Sequence, residues 1–409
     1  MAEFSAREYH AEHSDSHTSV HYKEESGYFQ RVGQSFCAIG VGFLLVTLSF
    51  PLLFWNEGRA VQTAKSLDEG LSIVNSLDSS VHGQPIQTHN EKLVHLSGHL
   101  KTNSPLSDPE FGVSVYATHL KRSVEMYQWV ETKHKREFKE GSRTRVETTY
   151  SYNSEWKSNI VSSSSFHSSS TKYRNPTAFP LSPSTKSADP VHVRSFSLSP
   201  GLKSAIQNFK VFTPKDKREG WTLIDNYFYR SVDPLRPVVG DIRVSFTYAG
   251  FTSKSESDDM GEADTVSIIA RQNGNHLTSF KTSSGVALEL LYMGQLTAEE
   301  IFNAEHTANS YLTWALRFVG WFLMFIGFQM VMDIFRQIVS FIPLVRDIVG
   351  LATNVLAITF ASSLSLLVIS LGWFWYRPVL SIVILISALV PFAVSRQKAQ
   401  NEKTKECKE

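Results

Sequence analysis

The sequence predicts a multi-pass α-helical membrane protein with four spans and a large β-rich α+β lumenal domain between spans one and two. Three observations carry this reading. Apolar residues, 42% of 409, gather in one block near residue 40 and another in the C-terminal third. The long stretch between them alternates polar and apolar residues with the period of β-strands. Charged residues sit at the ends of the apolar blocks rather than within them.

In chain order, residues 1–30 lack an apolar period and read as a disordered tail. His10, His13, His17 and His21 are spaced by three and four, which on one helical face could ligate a metal. The segment offers no core to support such a site, so a solvated tail is the preferred reading. Phe36 to Trp55 is 20 residues without a charge. At about 1.5 Å per residue it crosses a hydrocarbon core of about 30 Å. It lies too far from the N-terminus for a signal peptide and lacks a small-residue cleavage site, so span one (36–55) is a retained anchor. Asn56, Glu57 and Arg59 follow it. Glu57 could meet Arg317 of the next span, but a polar helix exit capped by Gly58 is preferred.

Residues 56–311 read as one soluble domain. Val124–Glu131 is apolar on both faces and Thr144–Trp156 alternates strictly, so the two form an antiparallel hairpin joined by the charged stretch 133–143. Ile242, Val244, Phe246 and Tyr248 mark another strand. Val266–Arg271 and Leu277–Phe280 flank Asn273-Gly274, a hairpin turn signal, and Gly285–Tyr292 makes one more strand. Short helices fit Ala60–Val74 and Pro200–Phe209. Ser162–Pro190 is serine- and proline-rich and reads as a mobile loop. Trp129, Tyr150, Tyr152 and Trp156 could line a binding groove, although aromatic residues in strands more often make cross-strand pairs.

Thr297-Ala298-Glu299-Glu300 is capping-box chemistry that opens a helix running into span two (312–332). The connector 333–347 is apolar at helical spacing. It reads equally as an amphipathic helix on the membrane surface or as an extension of its neighbours. Span three is 348–372 and span four is 378–395, with Arg377 marking a hairpin between them. The tail 396–409 carries five basic residues against three acidic. With Arg336 and Arg346, it places both termini on the cytosolic side and residues 56–311 in the lumen. Small residues in the spans (Gly40, Gly42, Gly320, Gly327, Gly350, Ala361) permit close helix packing and fit a homo-oligomer.

The same residues narrow the function. A net charge of +1 argues against nucleic-acid binding. Only Cys37 and Cys407 are present, so the middle segment holds neither a disulfide nor a cysteine zinc site. No phosphate-binding, nucleophile-elbow, zinc-protease or dinucleotide motif occurs, so no catalytic, cofactor or metal residue is assigned. Ionisable groups near the membrane (Arg317, Asp333, Arg336, Arg346, Asp347, Arg377) lie at helix ends. This argues against a pump, transporter or intramembrane protease and leaves a passive pore open.

Several segments resemble the LUMA (transmembrane protein 43) family: NEGRA at 56–60, LSDPEFGV at 106–113, VEMYQWVET at 124–132, YSYNSEW at 150–156, IRVSFTYAG at 242–250, VSIIARQNG at 266–274 and WFWYRP at 373–378. The likeness spans roughly residues 28 to 395 and excludes the histidine series. It implies a four-pass protein of the endoplasmic reticulum and inner nuclear membrane with nucleoplasmic or cytosolic termini. It further implies self-association, emerin and lamin partners, and a non-enzymatic scaffold that also serves innate-immune signalling. Channel or gap-junction modulation is the alternative. No catalytic residue comes with the resemblance.

Overall fold

The computed structural model describes residues 15–24, 28–77, 87–140, 143–168, 170–216, 218–252, 262–338 and 343–374, with short pieces beyond. The chain divides into two units. A β unit comprises 1–25, 77–278 and 289–295; a helical unit comprises 26–76, 279–288 and 296–409. The single domain expected over 56–311 therefore gives up both its ends, because the helices carry on well past their apolar stretches.

The β unit is built on a hairpin longer than the sequence suggests. Ala117–Glu140 pairs antiparallel with Arg143–Lys157 along the whole shorter strand, from Met126 opposite Lys157 to Glu140 opposite Arg143. The charged stretch 133–143 is thus mostly strand. Its charges pair along and across the hairpin instead of forming a loop, as Lys135 with Glu137 and Arg145 with Glu140 show. Next to Ala117–Glu140 lies Ile242–Phe251, whose Ile242, Val244 and Phe246 are buried while Arg243, Ser245 and Thr247 are not. They pack with Val124, Phe111 and Phe228 into one core.

A second set of strands closes on itself. Thr265–Asn273 pairs with His276–Thr278, which runs parallel to Phe196–Leu198. That strand pairs with Val191–Val193, which pairs with Leu93–Thr102, which returns to Thr265–Asn273. Closure leaves no free edge in this circuit. Val94, Leu96, Leu100, Phe196, Val266, Ile268 and Leu277 fill its core. The Asn273-Gly274 signal holds: Gly274 and Asn275 form the loop, with Gly274 at φ +57°. The strand expected over Gly285–Tyr292 is split. Ala287–Leu288 pairs with Phe280–Lys281 in the helical unit, and Leu290–Met293 pairs with Val266–Ile269 in the β unit.

Two segments expected to be loose carry structure. Asp15–Glu24 is a strand along Arg143–Tyr152, so His17 and His21 lie on a strand and not on a helix; His10 and His13 fall outside the described residues. Within 162–190, Asn175 anchors the chain. Its side chain donates to the carbonyls of Trp129 and Val161 and accepts from the Trp129 amide. Tyr173 is buried against Tyr152 at 4.2 Å between ring centres. The serine content signalled looseness, but local hydrogen bonds and buried rings hold the segment.

Among its described residues the helical unit has three long helices. Helix α1 is Tyr28–Ile73, unbroken through Pro51 and Gly58, so Gly58 is no cap and Ala60–Val74 is no separate helix. Helix α2 (Pro200–Ala205) belongs to the β unit and is capped by Ser199, whose hydroxyl accepts from the Leu202 amide. Helix α3 is Ala298–Ile338, and the expected capping box starts it: Thr297 Oγ1 accepts from the Glu300 amide, while the Glu300 carboxylate accepts from the Thr297 amide. Helix α4 is Pro343–Trp373. The connector residues 333–338 and 343–347 extend α3 and α4; 339–342 lie outside the described residues. Among the described residues three helices, within Cys37–Ile73, Ala298–Asp333 and Ile348–Trp373, are long and apolar enough to cross a membrane. Of the fourth expected span, 379, 382–387 and 389–391 are helical. The rest of it, Arg377 and nearly all of 396–409 lie outside the described residues.

Candidate functional site: a buried charge cluster

The residues that follow the first apolar stretch meet partners from all three long helices. Glu57, on α1, has no exposed surface. Its carboxylate takes two parallel hydrogen bonds from Arg317 of α3, from Nε and Nη2 at 2.7 Å each. The indole Nε1–H of Trp373, at the end of α4, donates to the same carboxylate. A fork of this kind is the strongest arrangement open to a guanidinium and a carboxylate.

Aromatic faces complete the cation's shell. The Arg317 guanidinium lies 4.8 Å from the Trp314 ring centre and 5.3 Å from that of Trp373. Cation–π contact offsets part of its lost hydration. Gly372 lets α4 reach Glu57, since a Cβ there would stand 2.9 Å from the Glu57 Cβ.

A polar layer built around Arg59 adjoins the ion pair. Arg59 donates to Asn309 Oδ1 at 2.9 Å, Thr313 Oγ1 at 3.0 Å and Asn56 Oδ1 at 3.2 Å. Asn56 Nδ2 reaches the Thr313 carbonyl and Asn309 Nδ2 the Ala60 carbonyl. The helix from Asn56 to Ala60 is thereby stitched to α3 through side-chain–backbone bonds in both directions. Farther along α1, Ser66 donates to Thr282, whose own proton goes to the Val286 carbonyl. Glu69 receives the Ser283 amide. These bonds fasten α1 to the small hairpin Phe280–Leu288.

The preferred sequence reading of Asn56-Glu57-Gly58-Arg59 as a polar helix exit is therefore corrected. The less favoured Glu57–Arg317 pairing is what forms, because the helix continues and keeps these residues inside the bundle. Sequence reasoning missed Trp373, Gly372, Asn309 and Thr313. The signal available was a Gly-Trp at the end of an apolar helix and an Asn and Thr four apart on α3. The four strand aromatics form no groove: Trp129 packs edge-on to Tyr173 at 5.1 Å, Tyr150 stacks on His167 at 4.0 Å, and Trp156 packs on Tyr127 at 5.2 Å. Burial, with its hydrogen bond to Glu131, pushes the Tyr152 phenol above its ordinary range. Among the described residues no three His, Cys, Asp or Glu side chains are placed to hold a metal.

The family model described as transmembrane protein 43 matches residues 126–378. Transmembrane protein 43 of Pongo abelii is 41% identical over 391 residues, covering 95% of this chain and 96% of that protein. The Homo sapiens protein of the same name is 40% identical over the same shares of each chain. The chain belongs to the transmembrane protein 43 family. The match reaches insects: the transmembrane protein 43 homolog of Drosophila melanogaster is 32% identical over 362 residues, 86% of this chain and 92% of that one. No solved structure is significantly similar. The family match includes Arg317 and Trp373 of the charge cluster, and the alignment to the relatives spans nearly the whole chain.

Proposed function

We propose that this family member is a non-enzymatic membrane scaffold of the endoplasmic reticulum and inner nuclear membrane. In this reading it self-associates, holds emerin and lamin-linked complexes, and serves as a platform for innate-immune signalling. Its termini face the cytosol or nucleoplasm, and the part of its β unit between α1 and α3, residues 77–278 and 289–295, faces the lumen. The observation that supports this best is the Glu57–Arg317–Trp373 tie. An ion pair held by two parallel bonds between two tryptophans is built to fix helices rather than to move a charge. The same helices expose Phe43, Leu48, Trp314, Phe318, Leu351 and Val355, an apolar surface for lipid or neighbouring helices. The alternative, a channel component or modulator, predicts unitary currents from purified protein in planar bilayers. Reproducible currents altered by substitutions in α4 would displace the scaffold.

The topology is tested by glycosylation. Ser162→Asn creates Asn-Ser-Ser on an exposed turn of the β unit, and Lys403→Ser creates Asn-Glu-Ser in the tail. Glycan is expected on the first and not on the second; the reverse pattern would overturn the placement. The strand Asp15–Glu24 pairs with Arg143–Tyr152. A chain whose α1 crosses the bilayer holds that segment and Arg143–Tyr152 on opposite sides, so crossing and strand pairing exclude each other within one molecule.

A further inference from the structure

In the β unit, a groove of about 300 Å³ is lined by Ser97, Gly98, His99, Lys101, Arg194, Thr265 and Gln295. Among the described residues its lining holds two cations and a histidine, two hydroxyls and an amide, and no carboxylate. The groove lies on the strand Leu93–Thr102, where Ser97, His99 and Lys101 follow one another at the period of two that puts side chains on one face.

Arg194 is the telling residue. It sits in the two-residue turn between Val191–Val193 and Phe196–Leu198, at φ +54°. That region disfavours any side chain with a Cβ and suits glycine or asparagine. The arginine side chain lies over Gly98, where an added Cβ would come 3.1 Å from Arg194 Cγ and 3.4 Å from Nε. A strained arginine and a cleared strand position together deliver a guanidinium to a concave surface. A two-residue hairpin turn calls for φ > 0 at its first position, where glycine or asparagine is the usual choice, so an arginine there is the departure.

The other polar groups are aimed by their neighbours. His99 Nδ1 contacts the Ala263 carbonyl at 3.2 Å and Thr265 Oγ1 at 3.1 Å. A carbonyl can only accept, so Nδ1 carries the proton, and Nε2 of the neutral ring is an acceptor that can take a hydrogen bond only from a protonated ligand oxygen. Lys101 is exposed and makes no ion pair among the described residues.

We propose that this groove binds a tetrahedral oxyanion of the phosphate class. Arg194 supplies the planar fork, Lys101 the point charge, and Gln295 with the Thr265 hydroxyl the neutral donors, the Ser97 proton being given to Ser267, whose own goes to the Gly294 carbonyl. A lipid headgroup and a soluble phosphorylated molecule present the same chemistry, and the experiment separates them.

Full-length protein in a phospholipid-free maltoside detergent would be unfolded thermally, with tryptophan emission as the readout, against pyrophosphate, a soluble inositol phosphate and short-chain phosphatidic acid. Chloride at matched ionic strength is the control. At ten times its Kd, a bound ligand raises the folding equilibrium constant about elevenfold. The decisive variant is Arg194→Gly, which relieves the backbone and removes the guanidinium. It is expected to match or exceed the parent in stability without ligand and to lose the response. Lys101→Ala is expected to weaken the response at least tenfold in Kd. A response to phosphatidic acid alone assigns the site to a headgroup, and responses to the soluble compounds assign it to a free phosphate. Failure of all three compounds to stabilise the parent protein would overturn the proposal, as would a full response in Arg194→Gly.

Discussion

Gly42 of α1 and Gly327 of α3 approach so closely that a Cβ on either would stand 2.6 Å from the other's carbonyl oxygen. Val46, Met330 and Val331 fill the space around the contact. Nearby, Gly320 lies against Leu53, which is fully buried. The small residues expected to serve contacts between copies here serve contacts within one chain, while Gly40, with nothing near its Cβ position, faces outward.

Gly327→Leu is therefore expected to destabilise the fold itself. Forcing a side chain into a filled contact costs about 1–3 kcal/mol. Thermal unfolding in mild detergent should show a lower midpoint for Gly327→Leu and an unchanged one for Gly40→Leu. Equal midpoints would remove this crossing from the account.

The charge cluster makes an asymmetric prediction. Arg317→Met leaves a fully buried carboxylate without its cation and should cost about 3–5 kcal/mol. Replacing both partners, as Glu57→Met with Arg317→Met, should recover most of that, since a buried ion pair and an apolar pair of similar size are nearly equivalent. Denaturant titration of the four proteins of this cycle measures the coupling. A double variant as unstable as Arg317→Met would show that the network around Asn56 and Arg59 depends on the pair.

Asp264 gives the β unit an acid-sensitive joint. Burial alone would raise its pKa. Hydrogen bonds from Lys210 Nζ, the Phe251 amide and Asn208 Nδ2 outweigh it and hold the carboxyl below its ordinary range. A depressed folded-state pKa means stability that is fully present above the unfolded value, about 3.9, and lost as pH falls through the folded one. Stability measured from pH 7 downward should thus fall below about pH 4. Asp264→Asn should be less stable at neutral pH and show a flatter acid limb. A parallel acid limb would show that other carboxylates set it.

The strand pairing tests membrane crossing. Thr18 and Thr149 are direct antiparallel partners with hydroxyls 3.2 Å apart. Partners of this kind suit a disulfide in Cα spacing. With Cys37 and Cys407 changed to serine, Thr18→Cys with Thr149→Cys should form no crosslink in membrane-inserted protein under oxidant if α1 crosses. A quantitative intramolecular disulfide would place both segments on one side and refute the crossing.

Legibility in the sequence followed the range of the interaction. The alternation at Ile242–Tyr248, the Asn273-Gly274 turn and the Thr297–Glu300 cap were readable because each depends on residues a few places apart. The site was not, because Glu57 finds its partners 260 and 316 residues away. A polar run after an apolar stretch looks the same whether the helix ends there or goes on. Charge content likewise misplaced 133–143, where alternating signs stabilise a strand pair as readily as they solvate a loop. The serine run misled for a third reason: Asn175 and Tyr173, not the serines, decide how 162–190 is held.

The distance along the chain between Glu57 and its partners has a bearing on biosynthesis. At about 5–20 residues per second, Arg317 emerges from the ribosome roughly 13–50 s after Glu57, and Trp373 later still. Through that interval the carboxylate lacks its forked partner and has only the neighbouring Arg59 as a cation on its own chain. Either the insertion machinery or interfacial water must shelter it, and α1 stays unanchored to its neighbours until α3 is delivered. Truncated nascent chains that stop short of Arg317 should therefore be the species that quality control recognises and removes.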